Sequence, residues 1–178
     1  MGYESHAAVT FPMYMAGATQ SQLVYRRLEN GERDPVLEVF DGLSERSRAL
    51  RFHGGKPRLT EADLESLADV GSCGREAVVA VEPDTGRVVG IARYVVDVDD
   101  ASAAEVAYAV VDDWQGRGVG RRLIVELGRR ADACGIARLR GLVVSGNTAA
   151  VSLLTHIGNV ESRAYDGGAL EVEVAIRA

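Results

Sequence analysis

The sequence predicts a mixed α/β domain built on a largely antiparallel sheet, and three observations carry that reading. Three β-branched runs follow one another in mid-chain, at 77–81, 88–96 and 105–111. A glycine-rich turn then leads into a segment with strong helical periodicity. The chain ends on a strand, a helix and two further strands.

Residues 23–28 (LVYRRL) form a first short strand. Asp34 and Pro35 supply an N-cap and a first-turn proline, with Val36, Val39, Phe40 and Leu43 at helical spacing behind them. A second helical piece covers 44–52 and stops at Gly54 and Gly55. Thr60 and Asp63 make a capping-box start for a third, ahead of Leu64 and Leu67. The runs 77–81 and 88–96 are joined by a Pro-Asp-Thr-Gly turn and form a meander with 105–111. In the next helix Val119, Leu123, Ile124, Leu127 and Ala131 share one face, and Gly135 closes it. A strand at 136–144, a helix at 147–157 and strands at 160–165 and 169–176 complete the domain. Leu170, Val172, Val174 and Ile176 alternate, so the last strand buries one face.

The 178 residues suit one domain, read here as an apolar arm over 1–20 and a single folded unit over 21–178. A net charge of −6 disfavours a general nucleic-acid binder or a membrane-surface protein. No apolar run reaches membrane-spanning length, and the arm lacks the early positive charge of a secretory signal. Cys73 and Cys134 are read as unpaired thiols, neither a disulfide framework nor a zinc site, and so as fitting a reducing compartment. The expected location is cytoplasmic, and no metal is expected.

The informative stretch is 104–131, AEVAYAVVDDWQGRGVGRRLIVELGRRA. A strand runs into Gln115, Gly116, Arg117, Gly118, Val119 and Gly120, and a helix starts inside that turn. Glycines let backbone N–H groups approach a ligand, and a helix N-terminus adds unpaired donors and partial positive charge. Arg117, Arg121 and Arg122 bring cations to the same end, so the turn suits a phosphate or pyrophosphate. The dinucleotide fingerprint G-x-G-x-x-G fails, because Arg121 occupies its third glycine slot. The P-loop fails too, lacking lysine followed by serine or threonine.

Gln115, Gly118 and Gly120 resemble the acetyl-CoA-binding motif of the GNAT superfamily of N-acyltransferases, and the likeness runs through VVDDWQGRGVGRRLI. Asn147, Ala150, Leu153 and Gly158 are similar to a second landmark of that family, and the element order matches from Leu23 onward. GLSERSRALRF and AEVAYAVVDDWQGRGVG look most like the acetyltransferase domain of bacterial Pat-type protein-lysine acetyltransferases. Those enzymes usually carry this domain fused to a regulatory or synthetase-like partner, and these residues hold the one domain. The acceptor is therefore left open between a protein lysine and a small-molecule amine.

The resemblance implies a GNAT fold, acetyl-CoA as co-substrate and direct attack by an amine in a ternary complex. It implies that backbone groups around 107–111, including Ala109, Val110 and Val111, hold the pantetheine arm and thioester carbonyl. The amides of Arg117, Gly118, Val119 and Gly120 would cradle the pyrophosphate, with Gly116, Arg121 and Asn147 beside them and Gln115 shaping the turn. Glu105 matches the glutamate assigned as base in Pat-type enzymes, and apolar neighbours would raise its pKa. Its competing reading is an exposed glutamate at a strand start. Many GNAT enzymes use a tyrosine seven residues after the helix-starting asparagine as an acid; here Leu154 stands there, as Pat-type domains also tend to lack it. Tyr108 is read as packing or lining the acceptor pocket, and His53 as a residue that could touch substrate. A homodimer is a further expectation by analogy with the family. The alternative function is an acyl-CoA-binding sensor without turnover.

Overall fold

The computed structural model describes residues 23–166 and 168–176, so the arm expected over 1–20 lies outside the described residues. In chain order the elements are β1 (Val24–Arg27), α1 (Asp34–Asp41), α2 (Glu45–Phe52), α3 (Glu61–Ala68), β2 (Arg75–Val81), β3 (Val88–Val96) and β4 (Ala103–Val110). After a 3-10 turn (Asp112–Trp114) come α4 (Val119–Ala133), β5 (Arg138–Val144), α5 (Thr148–Leu154), β6 (Gly158–Asp166) and β7 (Ala169–Ile176).

The strands form one sheet in the order β1-β2-β3-β4-β5-β7-β6. Every neighbouring pair is antiparallel except β4 and β5, which run parallel. This is the mixed, largely antiparallel sheet that the sequence predicts. Helices α1, α2 and α3 cover the face bearing Ile91, Arg93, Ala107 and Ala109. Helices α4 and α5 cover the other, where Leu123 of α4 lies against Gly90 and Tyr108 reaches α5. Leu123, Ile124, Leu127 and Ala131 are fully buried there, as their spacing along α4 predicts.

Local chemistry explains most boundaries. Ser44 caps α2 by accepting the Ser47 N–H at 3.2 Å, and Thr60 and Asp63 form the reciprocal capping box of α3. Asp34 is the first residue of α1 rather than its cap; Arg33 holds the cap position, and Pro35 follows inside the first turn. Helix α2 ends one residue before the expected glycine pair, at His53 with φ 54°. Helix α4 closes through Gly135 at φ 78°, with the Gly135 and Ile136 N–H groups returning to Asp132 and Ala131 carbonyls. Helix α5 is shorter than predicted. The backbone at Gly158 must already join β6, so close to Ala175 that a Cβ would stand 1.6 Å from the Ala175 carbonyl oxygen.

One expectation is overturned: Cys73 and Cys134 are joined in a disulfide, with Cα atoms 5.3 Å apart across a sequence separation of 61. Cys134 caps the C-terminus of α4, and Cys73 precedes β2, against which α4 packs. Packing of α4 on the sheet therefore brings together two cysteines whose sequence spacing carries no signal. No helix among the described residues is long and apolar enough to cross a membrane.

A cross-link closing a loop of that length contributes up to about 4 kcal/mol by restricting the unfolded chain. Urea unfolding of the wild type should lose stability of that order on reduction, and Cys134→Ser should match the reduced protein. Superimposable curves with and without reductant would contradict the pairing.

Candidate active site

The site begins where a ladder stops. Strands β4 and β5 pair only from Ala103 with Arg138 to Glu105 with Arg140. Beyond that point β4 stays on β3 as far as Val110, and β5 stays on β7 as far as Val144. The two strands therefore separate, and a cleft of about 560 Å³ opens between them, reaching from Glu105 to the turn before α4.

Hydrogen bonds fix which backbone groups face this cleft. At one end of the β3–β4 ladder Val111 N–H donates to Val89 O, and at the other Asp97 N–H donates to Ala103 O. Alternation between these points directs the backbone of Glu105, Ala107 and Ala109 toward β3. The groups turned toward the cleft are those of Val106, Tyr108 and Val110. Of the expected backbone donors, then, Val110 faces the cleft, whereas those of Ala109 and Val111 are committed to the sheet. Val111 is also buried, its side chain filling the space beside Gly42.

Gln115 holds the shape of the turn. Its amide donates to Val110 O at 3.0 Å, Asp112 Oδ1 at 3.2 Å and Ser47 Oγ at 3.3 Å, tying β4, the 3-10 turn and α2 together. Gly116 and Gly118 take φ values of 72° and 81°, the left-handed region that glycine enters without strain. Gly118 is the N-cap of α4 and has no side-chain cap. The first N–H groups of the helix accordingly lack intrahelical partners, and the residues that carry them line the cleft. At Gly120 a Cβ would stand 3.1 Å from Leu153, so its small size lets α4 approach α5.

Gln115, Gly116, Gly118, Val119, Gly120, Arg121, Asn147 and Glu105 all line the cleft. Arg117 does not; its guanidinium stacks 5.1 Å over the Trp114 ring. Arg122 likewise turns away, over Tyr25. Asn147 lines the cleft as the cap of α5, its Oδ1 accepting the Ala150 N–H at 3.2 Å. Tyr108 donates to Ala150 O at 3.0 Å, and burial raises its hydroxyl well above the ordinary tyrosine value. Leu154 is fully buried, with its side chain packed where a Cβ on Gly141 would stand.

Glu105 sits at the last pair before the strands part. Glu105 is exposed, and it couples electrostatically to Arg51 of α2 and Arg93 of β3. Neither arginine emerges from motif reading, although Arg93 is visible as the one charge inside the apolar run VVGIARYVV. Arg51 and His53 both line the cleft.

Ion pairs brace the closed end. Arg140 bonds Asp97 and Glu173, each at 2.6 Å, and Arg138 bonds Asp100 at 2.6 Å. Hydrogen bonds from Ser102, then Arg138, hold Asp100 down to about 2. Its contribution is thus present above the ordinary aspartate range and fades only as pH falls toward 2. Among the described residues no cluster of three or more His, Cys, Asp or Glu side chains is set to hold a metal ion.

Comparison with known proteins gives the same picture. The model of the acetyltransferase (GNAT) family matches residues 43–158. Acetyltransferase Pat of Mycolicibacterium smegmatis is 35% identical over 117 residues, 66% of this chain and 35% of that protein. This chain thus spans about a third of that relative's length. The GNAT domain of S. lividans PAT superposes with a TM-score of 0.78 at 23% identity, covering 86% of this chain and 90% of that one. The Salmonella typhimurium yncA structure, which contains its cofactor acetyl-CoA, superposes with a TM-score of 0.63 at 19% identity, covering 87% and 94%.

Proposed function

This chain belongs to the acetyltransferase (GNAT) family, and from that premise we propose that it moves an acetyl group from acetyl-CoA to an amine by direct attack. The observation that carries this reading is one cleft with phosphate-seeking donors at one end and a carboxylate at the other. From Glu105 to Val110 the strand spans about 17 Å at ordinary rise, a length suited to an extended pantetheine arm.

Acetyl-CoA, when bound, supplies the acetyl group on an activated thioester. The N–H groups opening α4, around Gly118, Val119, Gly120 and Arg121, are the proposed seat of the pyrophosphate, favoured by the helix dipole and the Arg121 charge. Backbone groups of Val106, Tyr108 and Val110 are the proposed seat of the arm and thioester carbonyl, with Val110 O already engaged by Gln115. These groups are held in place before the ligand arrives, which is how oriented dipoles lower a barrier at little reorganisation cost.

Glu105 is the proposed base. It takes a proton from the acceptor's ammonium, freeing the nitrogen lone pair to attack the thioester carbon. The new C–N bond forms as the C–S bond breaks, and the nitrogen's second surplus proton passes through water to the departing thiolate, giving the amide and the CoA thiol. No side chain is assigned as its acid: Leu154 cannot supply a proton, and Tyr108 spends its hydroxyl on Ala150. The cytoplasm is proposed for this reaction on the availability of acetyl-CoA alone, because the Cys73–Cys134 bond removes the free-thiol argument for it. Membership of an acetyltransferase family disfavours the alternative of a sensor that binds without turnover. The similarity to Pat suggests protein lysine as one acceptor class, and a small amine is the other.

Gly118→Asp places a carboxylate against the unpaired N–H groups while keeping a residue that tolerates a left-handed backbone. Calorimetric titration should find CoA affinity reduced by about 100-fold or more; unchanged affinity would remove the pyrophosphate assignment. Glu105→Gln should leave CoA affinity intact and lower kcat/KM by roughly 100-fold, within the range of general-base effects. The loss should be greatest at low pH, where the acceptor is ammonium, and shrink as the free amine takes over. Wild-type turnover across the pH range would require another base.

A further inference from the structure

Arg93 is a costly residue to keep where it lies. It is 9% exposed, stands in an apolar strand, and its Nε has no hydrogen-bond partner among the described residues. A buried N–H left without an acceptor is unfavourable, so the Arg93 Nε is a donor that an incoming anion would satisfy. Among the described residues neither Arg93 nor Arg51 has a hydrogen bond or salt bridge to a carboxylate; Glu105 acts on both through space, and the Arg51 guanidinium lies 4.9 Å from the Phe52 ring centre.

The two arginines share a place. Arg93 pairs with Ala107 across the β3–β4 ladder, while Glu105 pairs with Val95, so Arg93 and Glu105 are diagonal neighbours on one sheet face. Arg51 reaches the same face from α2. Burial foremost, then the Arg93 charge, pushes Arg51 down to about 10 against the opposing pull of Glu105. Burial foremost and then Arg75 lower Arg93 in the same way. Both groups stay cationic at neutral pH, so two guanidinium charges face a single carboxylate.

Behind them lies a small cavity of about 30 Å³ lined by both arginines, and Arg51 also lines the main cleft. That volume admits the two oxygens of one carboxylate, and among the described residues Arg51 and Arg93 are the only charged side chains in its otherwise apolar lining. The cavity ends against Val36, Val39 and Phe40 of α1 and Leu67 of α3, so a group entering it must be the end of a molecule.

We propose that the acceptor is a small amine bearing its own carboxylate, which Arg51 and Arg93 receive while Glu105 faces the ammonium. This rests on the acetyl-transfer reading above and narrows it. A polyamine would bring further positive charge against two guanidiniums, one buried and one half-buried, an unfavourable match. A lysine on a protein surface brings no anion at the end of its own side chain.

The test is acetyl-CoA-dependent thiol release with four separate pools: α-, β- and γ-amino carboxylates, the same amines as primary carboxamides, polyamines, and C-terminally amidated lysine peptides. The carboxylates should exceed their amides in kcat/KM on the order of 10- to 100-fold, the cost of losing charge-assisted hydrogen bonds, and mostly through KM. Arg51→Gln and Arg93→Gln should shrink that preference to within about threefold without altering CoA affinity. In case a variant fails to fold, the wild-type Arg93 Nε–H resonance should shift on adding the best amino carboxylate to the CoA complex, and not with its amide. Equal rates for acids and amides, or preference for polyamines or peptides, would overturn the carboxylate proposal while leaving acetyl transfer standing. No release with any pool despite CoA binding would instead overturn the acetyl-transfer reading, and this proposal with it.

Discussion

Parallel pairing between β4 and β5 ends at Glu105 and Arg140, and the cleft follows from that early termination. Each strand is anchored on its outer side, β4 by β3 and β5 by β7, so the gap between them is held from both flanks. Tyr108 pins β4 to α5, and Leu154 seals α5 against the β5 glycine at 141. The Arg138 and Arg140 ion pairs brace the closed end, where the acidic loop after β3 meets β5. A ladder continued to Val110 would spend the even-numbered β4 amides on β5 and leave no space to fill.

Electrostatics divide the cleft into two functional ends. The chain is acidic overall, with a net charge of −6, yet the cleft is cationic where it matters. At the mouth, the unpaired N–H groups of α4 and Arg121 give positive potential, the proposed seat of the pyrophosphate. At the inner end, two guanidiniums flank Glu105 and give the proposed acceptor site a zwitterionic preference. An acidic exterior with local positive sites limits nonspecific anion binding, because attraction is confined to places where geometry also fits.

Features set by local chemistry were legible in the sequence. The Thr60 and Asp63 box and the Gly135 stop each act within a few residues, so their patterns sit in plain view. The strand–turn–helix around Gln115, Gly118 and Gly120 was legible for the same reason, as was β3 over 88–96. What escaped depends on partners distant in sequence. The backbone phase of β4 depends on Val89 and Ala103 at the two ends of the ladder, and no property of Ala109 or Val111 alone reveals it. The environment of Glu105 comes from α2 and β3, and the Cys73–Cys134 bond from α4 packing on the sheet. Arg93 lies between these cases: its isolation in an apolar run is visible, but the helix it meets is not.

The central claim is that the thioester arm lies along the even-numbered residues of β4 with its phosphates at α4. Backbone amide NMR with added acetyl-CoA tests this most directly. The account predicts large shifts for the amides of Val106, Tyr108 and Val110 and for those of Val119, Gly120 and Arg121. Ala107 and Ala109, bonded to β3, should remain protected from hydrogen exchange throughout. Shifts concentrated elsewhere, with these six amides unmoved, would contradict it.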